Sequence, residues 1–265
     1  MNWQKILDQT TAVVERAAEF IHSEFGNVAR TDILTKSQNS LVSYVDQTAE
    51  RMLVEGLREV LPGSTFLTEE ETVNQERGAY QWIIDPLDGT TNFLHGLPHF
   101  AVSVALRHHR DLVVGVVYDV TKREVFTAYR GGGAWLNGQK IGVSSNDRLS
   151  DALIATGFPY YDYSRVKQFH QTLERFMREA RGVRRFGAAA LDLAWVACGR
   201  YDFFFEYSLH AWDMAAGILL VEEAGGKVTD YVGGNDSLVR GDVMAGSSQI
   251  FGHGERIVMD DLTKN

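Results

Sequence analysis

The sequence predicts a layered α/β fold. Three observations carry that expectation: two amphipathic helical stretches open the chain, an alternating meander fills its middle, and strands and helices take turns through its second half. The first helix is read from Trp3, Ile6, Leu7, Thr10, Val13, Val14, Ala17, Phe20 and Ile21, which recur at helical spacing and run out near Gly26. A second helix begins near Asp46, with Ala49, Met52, Leu53, Leu57 and Val60 as its apolar face and Pro62-Gly63 as its stop. Short strands are expected at 65–67 and 80–84. Alternation over 100–107, 112–118 and 124–129 predicts a meander, and Asn137-Gly138 predicts a tight hairpin between 135–136 and 140–141.

The polar stretch 144–150 marks a boundary between an N-terminal half, 1–145, and a C-terminal half, 146–265. Beyond it the pattern predicts a strand at 153–156, a helix over 164–180 and a strand at 183–186. A helix over 189–198 is closed by Gly199 and followed by a strand at 201–205. A helix over 212–223 is stopped by Gly225-Gly226, and strands at 228–229 and 243–245 end the series.

Composition narrows the partners. With 265 residues, 45% apolar and 23% charged, the chain can bury a large core. A net charge of -9 argues against nucleic acid or an anionic membrane as the default partner. Cys198 is the single cysteine, so no disulfide forms within the chain and a zinc site built on several cysteines is excluded. The first residues lack the basic and apolar regions of a signal peptide, and no run is apolar enough to span a bilayer. The expected location is cytoplasmic.

The most informative stretch is Trp82-Ile83-Ile84-Asp85-Pro86-Leu87-Asp88-Gly89-Thr90-Thr91-Asn92-Phe93. An apolar strand runs into two carboxylates, and Pro86 holds Asp85 extended. Gly89 lets the backbone approach a ligand, and the Gly89 and Thr90 N–H groups face an anion if a helix starts there. Two carboxylates with a backbone carbonyl form a hard oxygen site suited to Mg²⁺. Taken without its neighbours, an Asp-Pro-x-Asp string is an ordinary turn. A second stretch, His210-Ala211-Trp212-Asp213-Met214-Ala215-Ala216-Gly217, puts Asp213 in the first turn of an apolar helix. Alone, that acid reads as a partner of the helix dipole.

Together, 82–93 and 212–226 resemble the two signatures of the inositol monophosphatase family, and the resemblance runs through nearly the whole chain. It implies an alternating α-β-α-β-α sandwich, shared with fructose-1,6-bisphosphatase, and a lithium-sensitive phosphomonoesterase using two or three Mg²⁺ ions. Glu69 matches the family's metal-binding glutamate, with Glu70 beside it, and Asp85 matches the carboxylate that bridges two ions. The Leu87 carbonyl is a further ligand, and Asp88 and Asp213 complete the second metal site. Thr90 and Asp46 match the pair that orients the attacking water, and Lys36 matches a mobile-loop lysine. Most metal ligands thus fall in the first half, with Asp213 and the substrate contacts in the second.

The substrate contacts implied are Asp88, Gly89, Thr90, Gly187, Ala189, Glu206 and Asp213. Position 188, which carries a hydroxyl in the family, is alanine here, leaving the Ala189 N–H to serve. The resemblance points to a small phosphorylated polyol or sugar, myo-inositol 1-phosphate first, and to a homodimer.

Other readings are fructose-1,6-bisphosphatase or histidinol-phosphate phosphatase activity on the same fold. A haloacid-dehalogenase-type site is set aside because Asp85 and Asp88 are one residue too far apart for its motif. Gly131-Gly132-Gly133 reads as a tight turn, His108-His109 as residues on opposite strand faces, and Cys198 as a small core residue. A regulator of a different class, binding RNA or protein through Arg178, Arg181, Arg184 and Arg185, is the remaining alternative.

Overall fold

The computed structural model describes residues 1–28, 34–37, 40–159 and 162–263, with the backbone alone for 34–37 and 40–42. Lys36 falls on strand β1 (Leu34–Ser37), which pairs with β2 (Ser40–Val42), and its side chain lies outside the described residues.

Helices α1 (Trp3–Glu24) and α2 (Tyr44–Val60) form the first layer. Their buried stripes include Val14, Ala17 and Ile21 on α1 and Val45, Ala49, Leu53 and Leu57 on α2. These pack with Trp82, Ile84, Val102 and Val104 on one face of the larger sheet. That sheet runs in the order β3 (Thr65–Thr68), β4 (Tyr80–Asp88), β5 (Ala101–His108), β6 (Asp111–Asp119), β7 (Glu124–Tyr129), β8 (Gly133–Leu136) and β9 (Gln139–Ile141). β3 and β4 are parallel and the remaining neighbours antiparallel. Asn137 and Gly138 both have positive φ, at 50° and 76°, as the β8–β9 hairpin turn requires.

The other face of this sheet, including Ile83, Ala101 and Val117, packs on α5 (Ala189–Ala197) and α6 (Ala211–Glu223). Small residues make the contact close: a Cβ on Gly115 of β6 would stand 3.1 Å from the Ala216 carbonyl. The same two helices cover Ala155, Phe204, Val243 and Ala245 of a second sheet. Its order is β11 (Gly182–Arg184), β10 (Leu153–Thr156), β12 (Phe203–Tyr207), β14 (Asp242–Gly246) and β13 (Lys227–Thr229). Phe203 and Phe205 point the opposite way from Phe204 and meet α4 (Val166–Glu179) and α8 (Phe251–Leu262). The layers are therefore α-β-α-β-α, as expected.

Several elements depart from the sequence reading. The strand expected at 201–205 begins two residues later, at Phe203, where its pairing with β10 and β14 starts, and the Asp202 carboxylate before it accepts from the Leu153 N–H and the Asn146 amide. Two short elements, β1 and β2, and two helices, α7 (Ser237–Arg240) and α8, were not anticipated. Gly252 and Gly254 disguise α8. Gly254 is there because a Cβ would stand 2.6 Å from the Phe203 ring. Among the described residues no helix is long and apolar enough to cross a membrane.

Candidate active site

A cavity of about 410 Å³ opens where β4, α3 (Thr90–Leu94), α5, β12 and α6 meet. Glu69, Asp85, Leu87, Asp88, Gly89, Thr90, Gly187, Ala189, Glu206 and Asp213 all line it. Asp46 stands behind Thr90, one bond away from the wall.

Two aspartates three residues apart on a regular strand point to opposite faces. Here the β4–β5 register changes between Asp85↔Ser103 and Asp88↔Ala101, so three steps on β4 match two on β5. The extra residue is a β-bulge at Pro86-Leu87, where the missing proline N–H costs the ladder nothing. It turns Asp85 and Asp88 to the same side. The Leu87 N–H closes the bend by donating to Asp85 Oδ1 at 2.9 Å.

Asp88 then reaches the start of α5, donated to by the Ala190 N–H at 2.8 Å. Ala188 at that helix start has no side chain to cap it, so Asp88 satisfies the orphan N–H groups instead. Asp213 is the third residue of α6, and the His210 N–H donates to it at 2.6 Å. It is the helix-start acid its position alone suggested, and it lines the cavity as well. The Glu69 N–H donates to the Ile84 carbonyl at 3.3 Å, holding the end of β3 beside Asp85.

The Thr90 hydroxyl lies 3.0 Å from Asp46 Oδ1 and 2.9 Å from the Leu87 carbonyl. Asp46 is itself fixed by the α2 capping box, taking the Ser43 N–H and hydroxyl at 2.8 Å each. Gly89 has φ of 91°, and a Cβ there would meet the His99 carbonyl at 3.0 Å. Glycine is thus required by the backbone and by the closeness of His99. Asn92 ties the two sheets together, donating to the carbonyls of His99 and Phe186 at 2.8 Å each.

Burial dominates the electrostatics. It pushes the Asp85 carboxyl well above its ordinary value, reinforced by Glu69, Asp88 and Asp213 nearby. Burial lifts Asp88 to about 7, with Asp213 adding to it and the α5 N–H groups opposing. Asp213 and Asp46 are raised for the same reason. Glu206 is raised to about 8 by burial, partly relieved by Arg185.

The matching family model, described as the inositol monophosphatase family, covers residues 2–258. The chain belongs to the inositol monophosphatase family. It is 44% identical over 246 residues to an inositol-1-monophosphatase of Rhizobium meliloti, covering 92% of each chain. It is 42% identical over 257 residues to the Nus factor SuhB of Pseudomonas aeruginosa, covering 94% of this chain and 93% of that one. A crystal structure of the extragenic suppressor protein suhB from Bartonella henselae superposes with a TM-score of 0.91 at 42% identity, covering 96% of this chain and 98% of that one. Family and relatives support phosphatase activity.

The family implies a divalent metal, and the donor set fits one. Glu69, Asp85, Asp88 and Asp213, with the Leu87 carbonyl, bring only hard oxygens to one buried wall, and their mutual repulsion calls for a cation. Among the described residues no three acidic, His or Cys side chains are already drawn together tightly enough to hold an ion. The fit is therefore one of donor chemistry and placement, with side-chain rotation still to come.

Sequence reasoning missed several wall residues: Phe158, Arg185, Ser208, His210 and Trp212. Arg185 was counted with a basic surface cluster, yet it lies in the cavity with its guanidinium 5.1 Å from the Phe158 ring centre. Gly157 is a further surprise, since a Cβ there would overlap the Glu206 carboxylate. Three other features resolve cleanly. The Gly131 and Gly133 N–H groups each donate to Glu223 at 2.8 Å, so this glycine turn holds an internal carboxylate. His109 lies in a turn with φ of 57°, which brings its ring 4.4 Å from that of His108 rather than to the opposite face. Cys198 is half-buried at the end of α5, its thiol raised by burial.

Proposed function

We propose that this chain hydrolyses a small phosphate monoester, myo-inositol 1-phosphate first, with Mg²⁺ held by Glu69, Asp85, the Leu87 carbonyl, Asp88 and Asp213. The observation that supports this most is the meeting of these acids, from separate segments, in one cavity beside the Thr90–Asp46 pair. When bound, Mg²⁺ supplies charge neutralisation for the phosphate oxygens and acidity for a water molecule.

The chain's own groups do the rest. The Thr90 hydroxyl, held by Asp46 and the Leu87 carbonyl, offers an oxygen lone pair to orient a water and take up its proton. Asp46, raised by burial and steadied by Ser43, is suited to share that proton. Gly89, Thr90 and Ala189 border the space where the phosphate sits, and Glu206 accepts from a ring hydroxyl on its far side. Arg185 and Phe158 close that side, excluding water from the polyol. Two or three ions per site and a homodimer belong to the same proposal, tested by a metal count and by sedimentation.

A regulatory role, suggested by relatives named Nus factor, is the second reading. The arginines invoked for it are largely engaged: Arg178 with Glu174 at 2.6 Å and Arg181 with Asp151 at 2.9 Å. The experiment is phosphate release from inositol 1-phosphate, fructose 1,6-bisphosphate, histidinol phosphate and adenosine 3′,5′-bisphosphate, with Mg²⁺ and with chelator. Chelator-sensitive release favouring inositol 1-phosphate is expected. No release from any ester would end the enzyme reading.

A further inference from the structure

Glu50 sits one helical turn beyond Asp46 on α2, so both carboxylates belong to the helix's buried stripe. Glu50 is fully buried, an unusual place for an acid unless its oxygens are occupied. They are. Oε1 accepts from the Thr68 hydroxyl at 2.9 Å, the Thr72 N–H at 2.8 Å and the Thr72 hydroxyl at 2.6 Å. Oε2 accepts from the Glu70 N–H at 2.7 Å.

These donors bracket Glu69 on both sides. Three come from beyond it in the chain, one at Glu70 and two at Thr72, and one from Thr68 before it. Inside the bracketed turn, Glu71 holds a left-handed φ of 52°, which a non-glycine residue adopts only when its surroundings enforce it. Gln75 adds a second hold, accepting from the Thr68 N–H at 2.9 Å. A carboxylate suits this task because every atom facing it is a donor, whereas an amide would turn one N–H against them.

We infer that Glu50 is a positioning residue for Glu69, fixing the turn from Thr68 to Thr72 so that the Glu69 carboxylate faces Asp85. With Asp46 holding Thr90 one turn earlier, α2 becomes the common support of the Thr90 hydroxyl and the Glu69 segment. The inference rests on the metal reading of Glu69 proposed above.

The test is Mg²⁺ binding by titration calorimetry to wild type, Glu50→Gln, Glu69→Gln and the double variant, alongside the Mg²⁺ dependence of phosphate release. Glu50→Gln should weaken Mg²⁺ binding by about 10–100-fold, the range for groups that orient a metal ligand. In the Glu69→Gln background it should add little, because the side chain it positions is gone. Wild-type affinity in a folded Glu50→Gln protein would overturn the inference, and so would losses that multiply in the double variant. If Glu50→Gln does not fold, Thr72→Val removes one donor and keeps the carboxylate. It should weaken Mg²⁺ binding several-fold in the Glu69 background and not in Glu69→Gln; no change in either would again overturn the inference. Should Glu69→Gln itself leave Mg²⁺ affinity intact, the metal reading falls. Should Glu69→Gln weaken it while folded Glu50→Gln does not, only the positioning role of Glu50 falls.

Discussion

Stripped of metal, this protein should lose stability as the pH rises from 5.5 to 7.5. Burial holds Asp88 at about 7 and Glu206 at about 8 in the folded chain. In the unfolded chain they titrate near ~3.9 and ~4.3. Between about pH 4.5 and 7 this pair alone therefore gives the folded state up to about two more protons than the unfolded state, and the raised Asp85, Asp213 and Asp46 act with the same sign. Each extra proton lowers stability by about 1.4 kcal/mol per pH unit, giving about 3 kcal/mol per unit from this pair at full strength.

Glu206 keeps some contact with water across the cavity, so a slope of about 1–3 kcal/mol per unit is expected. The sign follows from the raised values: the stability is fully present at low pH and is lost as pH climbs through the folded pKa values. Over two units that loss is a large part of the ~5–15 kcal/mol that holds a domain together. Urea unfolding in chelator at pH 5.5, 6.5 and 7.5 measures it. Glu206→Gln should flatten the slope by up to one proton's share, ~1.4 kcal/mol per unit, and Mg²⁺ at a hundred times its Kd should return about 2.7 kcal/mol at pH 7.5. Stability that is flat or rising with pH in chelator would refute the reasoning, as would an unchanged slope in Glu206→Gln.

Three further perturbations separate the roles of neighbouring groups. Thr90→Val removes the hydroxyl beside Asp46 and should lower kcat by about 10²–10⁴-fold, with Thr90→Ser recovering most of it in phosphate-release assays. A kcat within about twofold of wild type in Thr90→Val would show that the hydroxyl orients no water. Gly157→Ala drives the flexible Glu206 side chain aside, so KM for inositol 1-phosphate should rise while the melting temperature barely moves. Gly89→Ala puts a side chain at φ of 91° against the His99 carbonyl and should cost at least ~1–2 kcal/mol in chemical denaturation.

The layered class was legible from the order of helical and strand-like stretches, and the five-layer sandwich only through the family resemblance. Trp82-Ile83-Ile84 and Phe203-Phe204-Phe205 are apolar at every position because both faces of each strand are covered: Ile83 serves one layer while Trp82 and Ile84 serve another, and Phe204 is set against Phe203 and Phe205 in the same way. The bulge that turns Asp85 and Asp88 together was only half legible: Pro86 announced a break, but its effect on side-chain direction depends on pairing with β5. Arg185 looked like one arginine among four on a basic stretch. Only the folding of β11 toward the cavity distinguishes it from Arg178 and Arg181, which meet acids elsewhere.

Glu50 left a signal that was passed over. Two acids at i and i+4 within an apolar stripe, Asp46 and Glu50 among Val45, Ala49 and Leu53, are costly to bury unless something is bound to them. What they hold lies 18 to 44 residues away in the chain, beyond the reach of local patterns. The helix α8 failed for a local reason, since glycine at 252 and 254 argues against a helix until the Phe203 ring is in view.

The central claim is that the acid cluster holds Mg²⁺ for phosphate-ester hydrolysis. It is tested most directly by titrating Mg²⁺ into wild type and Asp85→Asn at pH 7.5 while following phosphate release from inositol 1-phosphate. Wild type should bind Mg²⁺ and release phosphate, with chelator abolishing release, and Asp85→Asn should lose both together. Release that survives chelator, or an Asp85→Asn variant that binds and turns over like wild type, would contradict the claim.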